Sequence, residues 1–274
     1  MPQVSSLALN NGVRIPQLGF GVFQIPDSET EAAVDAALEA GYRSIDTANL
    51  YANEAAVGRA VRTSGIPREE LFITTKLGND DHGYASALRA FDESMEKLGL
   101  EYLDLYLIHW PQPKRDHYID TWRAFEKLLE EERVQAIGVS NFQVAHLKRL
   151  LDSSAVVPSI NQIELHPNLV QHELREFHAA HNILTEAWSP LAKGGLLTDP
   201  TITALAEKHD RTPAQVVLRW HIQLGNVVIP KSVTPSRIAE NIDVFDFTLS
   251  EDDIASITGL NSDTRTGPHP DRQG

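Results

Sequence analysis

Short runs of apolar and β-prone residues recur along the chain. They are LGFGVF (18–23), YRSID (42–46), LFITTK (71–76), LDLYLIH (103–109), VQAIGVS (134–140), SINQIE (159–164), ILTEAW (183–188) and NVVIP (226–230). Runs this short and this continuous predict strands buried on both faces, as in a parallel sheet. Between them lie segments whose apolar residues repeat at helical spacing. SETEAAVDAALEAG puts Ala33, Val34, Ala37, Leu38 and Ala40 on one stripe, with Ser28 as the expected N-cap and Gly41 as the stop. YASALRAFDESMEKLGL repeats that design and stops at Gly99. IDTWRAFEKLLEEERV, TPAQVVLRWHIQLG and TPSRIAENIDVF follow, and Thr212-Pro213 and Thr234-Pro235 each read as an N-cap with proline at the first helical position.

Eight strand–helix units in 274 residues predict an α/β fold, a (β/α)8 TIM barrel, as one domain over 1–274. An open doubly wound sheet is the structural rival. Ahead of the first unit, SLALNNGVRIP reads as a β-hairpin turning at Asn10-Asn11-Gly12 and placed to close the barrel floor. The tail from Asn261, NSDTRTGPHPDRQG, is polar and turn-rich and reads as a loop or a frayed end.

The strand ends carry the chemistry. Asp46, Lys76, His109, Ser140 with Asn141, Gln162, Trp188 and Lys231 each close an apolar run or follow it closely. A barrel gathers such ends on one face, where active sites are built. Alone, each has a plain reading: a helix cap, a snorkelling lysine, a hydrogen-bonded core histidine. Seven in register predict a pocket. Tyr51 lies five residues past Asp46. A phenol ionises near pH ~10, and an adjacent ammonium stabilises its ionised form. An aspartate would hold that ammonium charged, and a histidine would position a carbonyl oxygen. The set is a proton donor aimed at a carbonyl, and it lacks a reductant.

Composition removes several alternatives. Net charge is −14, from 24 basic and 38 acidic residues, which argues against nucleic-acid or anionic-membrane partners. With no cysteine, disulfides, thiolate nucleophiles and Cys-bound zinc are excluded. No apolar run is long enough for a membrane helix, and MPQVSSLALNNG lacks signal-peptide features, so a cytoplasmic protein is expected. His178 and His181 are three apart with no acid to complete a site, so no metal is expected.

Six motifs in order, GYRSIDTANLYANEAAVG, LDLYLIHWP, AIGVSNF, INQIELHP, TEAWSPL and VVIPKSVTPSRIAEN, resemble those of the aldo-keto reductases. The likeness is closest to the bacterial branch containing 2,5-diketo-D-gluconate reductases, and it runs nearly the length of the chain. It implies a barrel that binds NADPH (NADP+) without a Rossmann fingerprint, in keeping with Gly19 and Gly21 lacking a third glycine. It implies a tetrad in which Tyr51 is the general acid, Lys76 paired with Asp46 lowers the Tyr51 pKa, and His109 orients substrate. For the cofactor it implies Ser140, Asn141 and Gln162 at the nicotinamide carboxamide and Trp188 stacked on the ring. The loop 189–195, with Ser189, Leu191 and Gly194, would cover the pyrophosphate. Lys231, Ser232, Val233 and Arg237 would meet the adenosine 2′-phosphate, and Glu240 and Asn241 the adenine. Phe23, His109 and Trp110 would line the substrate pocket. Where such sequences carry a tryptophan wall, this chain has Leu77 and Gly78, so Trp110, Tyr118 and the tail are candidates to replace it. The expected function is NADPH-dependent reduction of an aldehyde, ketone or dicarbonyl, such as a keto sugar acid or a methylglyoxal-like molecule, by a monomer. The alternative is an NADPH-binding sensor or structural protein with little turnover.

Overall fold

The computed structural model describes residues 4–273. Residues 1–3, part of the N-terminal stretch read above, and Gly274, the end of the tail, lie outside them. Strands β1 (Ser6–Ala8) and β2 (Arg14–Pro16) form the expected antiparallel hairpin. The eight apolar runs become β3 (Phe20–Gly21), β4 (Ser44–Asp46), β5 (Phe72–Leu77), β6 (Leu103–Ile108), β7 (Val134–Ser140), β8 (Ile160–Glu164), β9 (Leu184–Trp188) and β10 (Val227–Val228). They pair in parallel, each with the next. Leu18 bridges to Val228, Gly19 N donates to Val228 O (2.8 Å) and Gly21 N to Pro230 O (3.2 Å), so the last strand meets the first and a (β/α)8 barrel closes. The outermost strands are shorter than their sequence runs. At β10 the cause is Pro230, which has no N–H to extend the ladder.

Most helix boundaries follow the local chemistry. Gly41 (φ +109°) and Gly99 (φ +63°) end their helices in the left-handed conformation, where a Cβ is disfavoured. Thr212 caps its helix, accepting from Gln215 N while Gln215 Oε1 accepts from Thr212 N. Ser28 is not a cap. That helix runs Asp27–Ala40, and its first bonds run from Glu29 N and Thr30 N to the Pro26 carbonyl, which places Ser28 inside the first turn. Thr234 occupies an N-cap position without a side-chain capping bond, and its N–H instead donates to Ser232 Oγ (3.1 Å).

Alternation along the strands separates two cores. Outward residues such as Ile73, Tyr106, Ile137 and Ile163 pack under the helices with Phe91, Trp122 and Phe125. Inward residues Phe72, Leu105, Leu107, Ala136, Ile160 and Val227 meet Leu9 and Ile15 of the hairpin region, which plug the floor. Asn11 Nδ2 donates to Gln135 O (2.8 Å), and Asn10 bonds Pro158 O and Ser159 Oγ, so the turn is pinned to the barrel's lower rim. Within that turn Gly12 alone has positive φ.

Candidate active site

Above the apolar floor the inward positions turn polar. The β8 and β9 ladder shows the change in three cross-strand pairs: Ile160 with Leu184, then Gln162 with Glu186, then Glu164 with Trp188. On β5 the same period takes Phe72 in the floor to Thr74 and then Lys76. Lys76 is wholly buried, and its Nζ donates to Asp46 Oδ1 (2.5 Å) and to Thr47 O (2.9 Å). Burial alone would lower the Lys76 pKa, but Asp46 and then Tyr51 outweigh it, so the pKa is raised and the ammonium stays charged.

Chain reversal after β4 brings Tyr51, the last residue of the helical turn Asn49–Tyr51, over that ammonium. Lys76 Nζ lies 5.1 Å from the Tyr51 ring centroid, Phe23 packs on the ring at 5.0 Å, and His109 meets it edge-on at 5.6 Å. The phenol departs from expectation in one respect. Burial raises its pKa, Lys76 pulls it down, and Asp46 and Glu186 push it back up, so that the balance lies above the ordinary value. The attraction of one ammonium is shared between a phenol and a carboxylate, and the ring is desolvated by its aromatic neighbours. Tyr51 is therefore protonated at neutral pH. Burial, and then Lys76, hold the His109 pKa well below the usual histidine value, so its imidazole is neutral. Nδ1 of His109 is buried with no partner among the described residues.

A hydrogen-bond chain joins these groups to the neighbouring strand ends. Gln162 Nε2 donates both to Asp46 Oδ2 (2.8 Å) and to Glu186 Oε2 (2.9 Å). Ser140 Oγ donates to Gln162 O (2.8 Å). Asn141, at φ +64°, donates to His109 O (2.9 Å) and Ser140 Oγ (3.1 Å) and accepts from Trp188 Nε1 (2.9 Å). The indole edge is thereby fixed at the mouth. Glu186 was not among the residues singled out from sequence. An acid at alternating spacing between Leu184 and Trp188 was the signal that would have found it.

The rim is built from loops. Ser189, Ala192, Lys193 and Gly194 all take positive φ in the loop after β9, and Leu191 packs against the outer core. The tail is an anchored strap, not a frayed end. Glu164, buried at the top of β8, accepts from Thr266 N, Thr266 Oγ1 and Gly267 N, and it pairs with His166 and Arg265. Asn168 O accepts from Ser262 N and Thr264 N, and Lys193 Nζ donates to Thr266 O (2.8 Å). Gly267 abuts the outer edge of Trp188, where an added Cβ would lie 2.5 Å from Cη2. Glu164→Ala is expected to release the strap, because four of these attachments end on its carboxylate; faster limited proteolysis within 261–273, with the barrel intact, is the readout.

Other expected site residues are more scattered. Phe23 is 49 % exposed at the rim, and Trp110 lies beside His109, ring centroids 6.4 Å apart. Tyr118 supplies no wall; it is buried against Phe142 and His146 in the outer layer. At Gly78 an added Cβ would lie 2.5 Å from Asp81 Oδ2 and 3.2 Å from Asn49 Oδ1, so polar side chains border that position. Lys231 lies three residues beyond β10; it is exposed, as are Val233 and Arg237 around the start of the helix Pro235–Ile242, while Ser232 is partly buried. Among the described residues neither cation is ion-paired. Glu240 Oε1 accepts from Thr212 Oγ1 (2.7 Å), and Asn241 is buried. His178 sits between Asn161 (2.9 Å) and Thr185 (2.8 Å), with its pKa pushed down by burial to about 3, while His181 stacks on Phe177. No cluster of three metal-ligating side chains occurs among the described residues.

Residues 17–262 match the model of the aldo/keto reductase family. An aldo-keto reductase of Mycolicibacterium smegmatis is 58% identical over 264 residues, covering 96% of each chain. A glyoxal reductase of Bacillus subtilis is 52% identical over 267 residues, covering 97% of this chain and 96% of its own. Among solved structures, a variant of Gox0644 in complex with NADPH superposes with a TM-score of 0.96 at 49% identity, covering 99% of both chains.

Proposed function

The chain belongs to the aldo/keto reductase family, as an NADPH-dependent oxidoreductase acting on carbonyl groups, and from that premise we propose that it reduces small polar dicarbonyls or keto sugars with Tyr51 as the proton donor. The observation that carries this reading is the Tyr51–Lys76–Asp46–His109 cluster: a protonated phenol and a neutral imidazole side by side above a buried ion pair.

The residues at the mouth fit the cofactor. Both N–H groups of Gln162 and of Asn141 are already engaged, which leaves Gln162 Oε1 and a second lone pair on Asn141 Oδ1 as acceptors for a carboxamide N–H2. Trp188, its edge tied to Asn141, offers a flat platform for a nicotinamide ring. The positive-φ loop from Ser189 to Gly194 turns its backbone sharply beside that platform, which suits cover for a pyrophosphate. Lys231 and Arg237, unpaired, with Ser232 and Val233 between them, suit a 2′-phosphate dianion. Glu240 and Asn241 would border the adenine.

When bound, NADPH supplies a hydride to the carbonyl carbon. Tyr51 delivers its proton to the carbonyl oxygen, so the product is an alcohol and the phenol is left as phenolate. Lys76 stabilises that phenolate, and Asp46 keeps Lys76 charged and aimed. His109, neutral, donates a hydrogen bond that holds the oxygen in line with Tyr51. Asn49 and Asp81 at Gly78 give the pocket a polar border suited to hydroxyl or second-carbonyl groups.

Oxidation of NADPH, followed by its absorbance across dicarbonyls, keto sugars and apolar aldehydes, tests the reading. Dicarbonyls or keto sugars should show the highest kcat/KM; a preference for long apolar aldehydes overturns the substrate class, and binding without turnover overturns the reaction. Arg237→Ala should weaken NADPH by roughly tenfold to a hundredfold, the worth of a charge-assisted hydrogen bond, and leave NADH nearly unchanged. Equal losses for both would remove Arg237 from the phosphate site.

A further inference from the structure

We propose that Glu186 is a positioning residue for the proton-donating cluster, acting through Gln162 on Asp46. The proposal rests on the reductase reading above. Its ground is geometric. One amide nitrogen, Gln162 Nε2, is held between two buried carboxyl groups, Asp46 Oδ2 at 2.8 Å and Glu186 Oε2 at 2.9 Å. The cross-strand pairing of Gln162 with Glu186 fixes this arrangement, and Leu184 and Ile160 below it exclude water from the floor side. The Asp46 carboxylate takes one N–H of the Gln162 amide and Glu186 the other, so both amide protons are held and Oε1 is left as a free acceptor. Asp46 is held by Lys76 on one oxygen and by Gln162 on the other.

Charge gives Glu186 a second effect. The titratable groups facing it are Asp46 from β4, Lys76 from β5 and Tyr51 from the turn after β4. One ammonium neutralises one carboxylate, so two like charges beside a shared amide leave the second group protonated. Burial first, and then Asp46, push the Glu186 pKa up to about 8. Below that pH Asp46 is the sole anion beside Lys76. Above it a second negative charge opposes the phenolate that Tyr51 must become, so turnover falls. Lys76 and Tyr51 are raised above their ordinary values and His109 lies well below its own, so none of these three titrates there.

The test compares wild type, Glu186→Gln and Glu186→Leu. Each kcat profile is normalised to its own value at about pH 6. The wild type should lose turnover by roughly tenfold through about pH 8, one pKa unit of effect on Tyr51. Glu186→Gln, which keeps an acceptor for Gln162 but cannot ionise, should lack that fall. Glu186→Leu strands an N–H of Gln162 and should lower kcat at every pH, with the KM for carbonyl little changed. Infrared difference spectra of the protein without cofactor supply a readout independent of activity. A protonated-carboxyl band should vanish in wild type between about pH 6 and pH 10 and be missing from Glu186→Gln. An alkaline fall retained in Glu186→Gln, a wild-type kcat in Glu186→Leu, or an unchanged infrared band would each overturn the proposal. If wild type reduces no carbonyl, the reductase reading fails, while the infrared titration still decides the state of Glu186.

Discussion

Tyr51→Phe should lower kcat by between about a hundredfold and ten-thousandfold, the usual worth of a positioned general acid, and leave NADPH binding in place. The reasoning separates chemistry from folding. A phenyl ring preserves the packing against Phe23 and His109, and the hydroxyl's partner, the Lys76 ammonium, keeps its bonds to Asp46 Oδ1 and Thr47 O. Stability should therefore stay within about 1 kcal/mol of wild type. In the proposed mechanism the loss falls on kcat, because the proton would move only as the hydride arrives, an interaction made in the transition state and not in the ground state. The raised pKa of Tyr51 supports this, since a phenol that is fully protonated at neutral pH is loaded as an acid. Lys76 does not need to ionise it beforehand; it needs only to make the phenolate cheaper to form within a buried pocket. A Tyr51→Phe protein that still reduces carbonyls at the wild-type rate, with an unshifted melting temperature, would remove the phenol from the mechanism.

The barrel was legible because its signals are local and repeated. Apolar runs, Thr-Pro starts and glycine stops each act within a few residues, and the eight strands lie where those runs lie. Ser28 misled because a serine near a helix start looks like a cap, whereas the Pro26 carbonyl had already accepted the first helical bonds. The site was legible only as strand ends. Its electrostatics were not, because they depend on distances between strands far apart in sequence. Asp46 and Gln162 are 116 positions apart, and the second carboxyl group on the Gln162 amide, that of Glu186, belongs to a third strand. The tail is the loop that its sequence allowed, but its anchoring was hidden for a related reason. NSDTRTGPHPDRQG is polar and turn-rich whether it frays or is strapped down, and its anchor, Glu164, lies about a hundred residues earlier. An acid in a buried strand needs a partner; Glu164 and Glu186 were both visible in sequence as acids without one.

Asp46→Asn should cost roughly 3–5 kcal/mol of stability, the loss typical of a broken buried ion pair, because it strands the wholly buried Lys76 ammonium. At about 2–4 °C per kcal/mol for a chain of this size, the melting temperature should fall by roughly ten degrees. The sign of the pH dependence identifies the cause. In wild type the Lys76 pKa is raised above its unfolded value, so its contribution is present below the unfolded pKa and is lost as pH rises through the higher folded one. With neither Asp46 nor an ionised Glu186 beside it, as in Asp46→Asn combined with Glu186→Gln, burial dominates and the folded pKa falls below the unfolded one. Protonation then favours the unfolded chain, and that double variant should regain stability as pH rises toward that of free lysine. Glu186 complicates the outcome in a measurable way. Freed from Asp46, its carboxyl can ionise and become the counter-ion of Lys76, since Asp46 is among the groups that keep it protonated. Glu186→Gln should therefore be nearly neutral or mildly stabilising in wild type at alkaline pH, yet further destabilising in the Asp46→Asn background. That reversal of sign is a coupling a double-mutant cycle reads directly. Replacing both charges, Asp46→Leu with Lys76→Met, should restore much of the stability and none of the turnover, since in the proposed mechanism the pair serves the phenolate that Tyr51 would become and not the barrel.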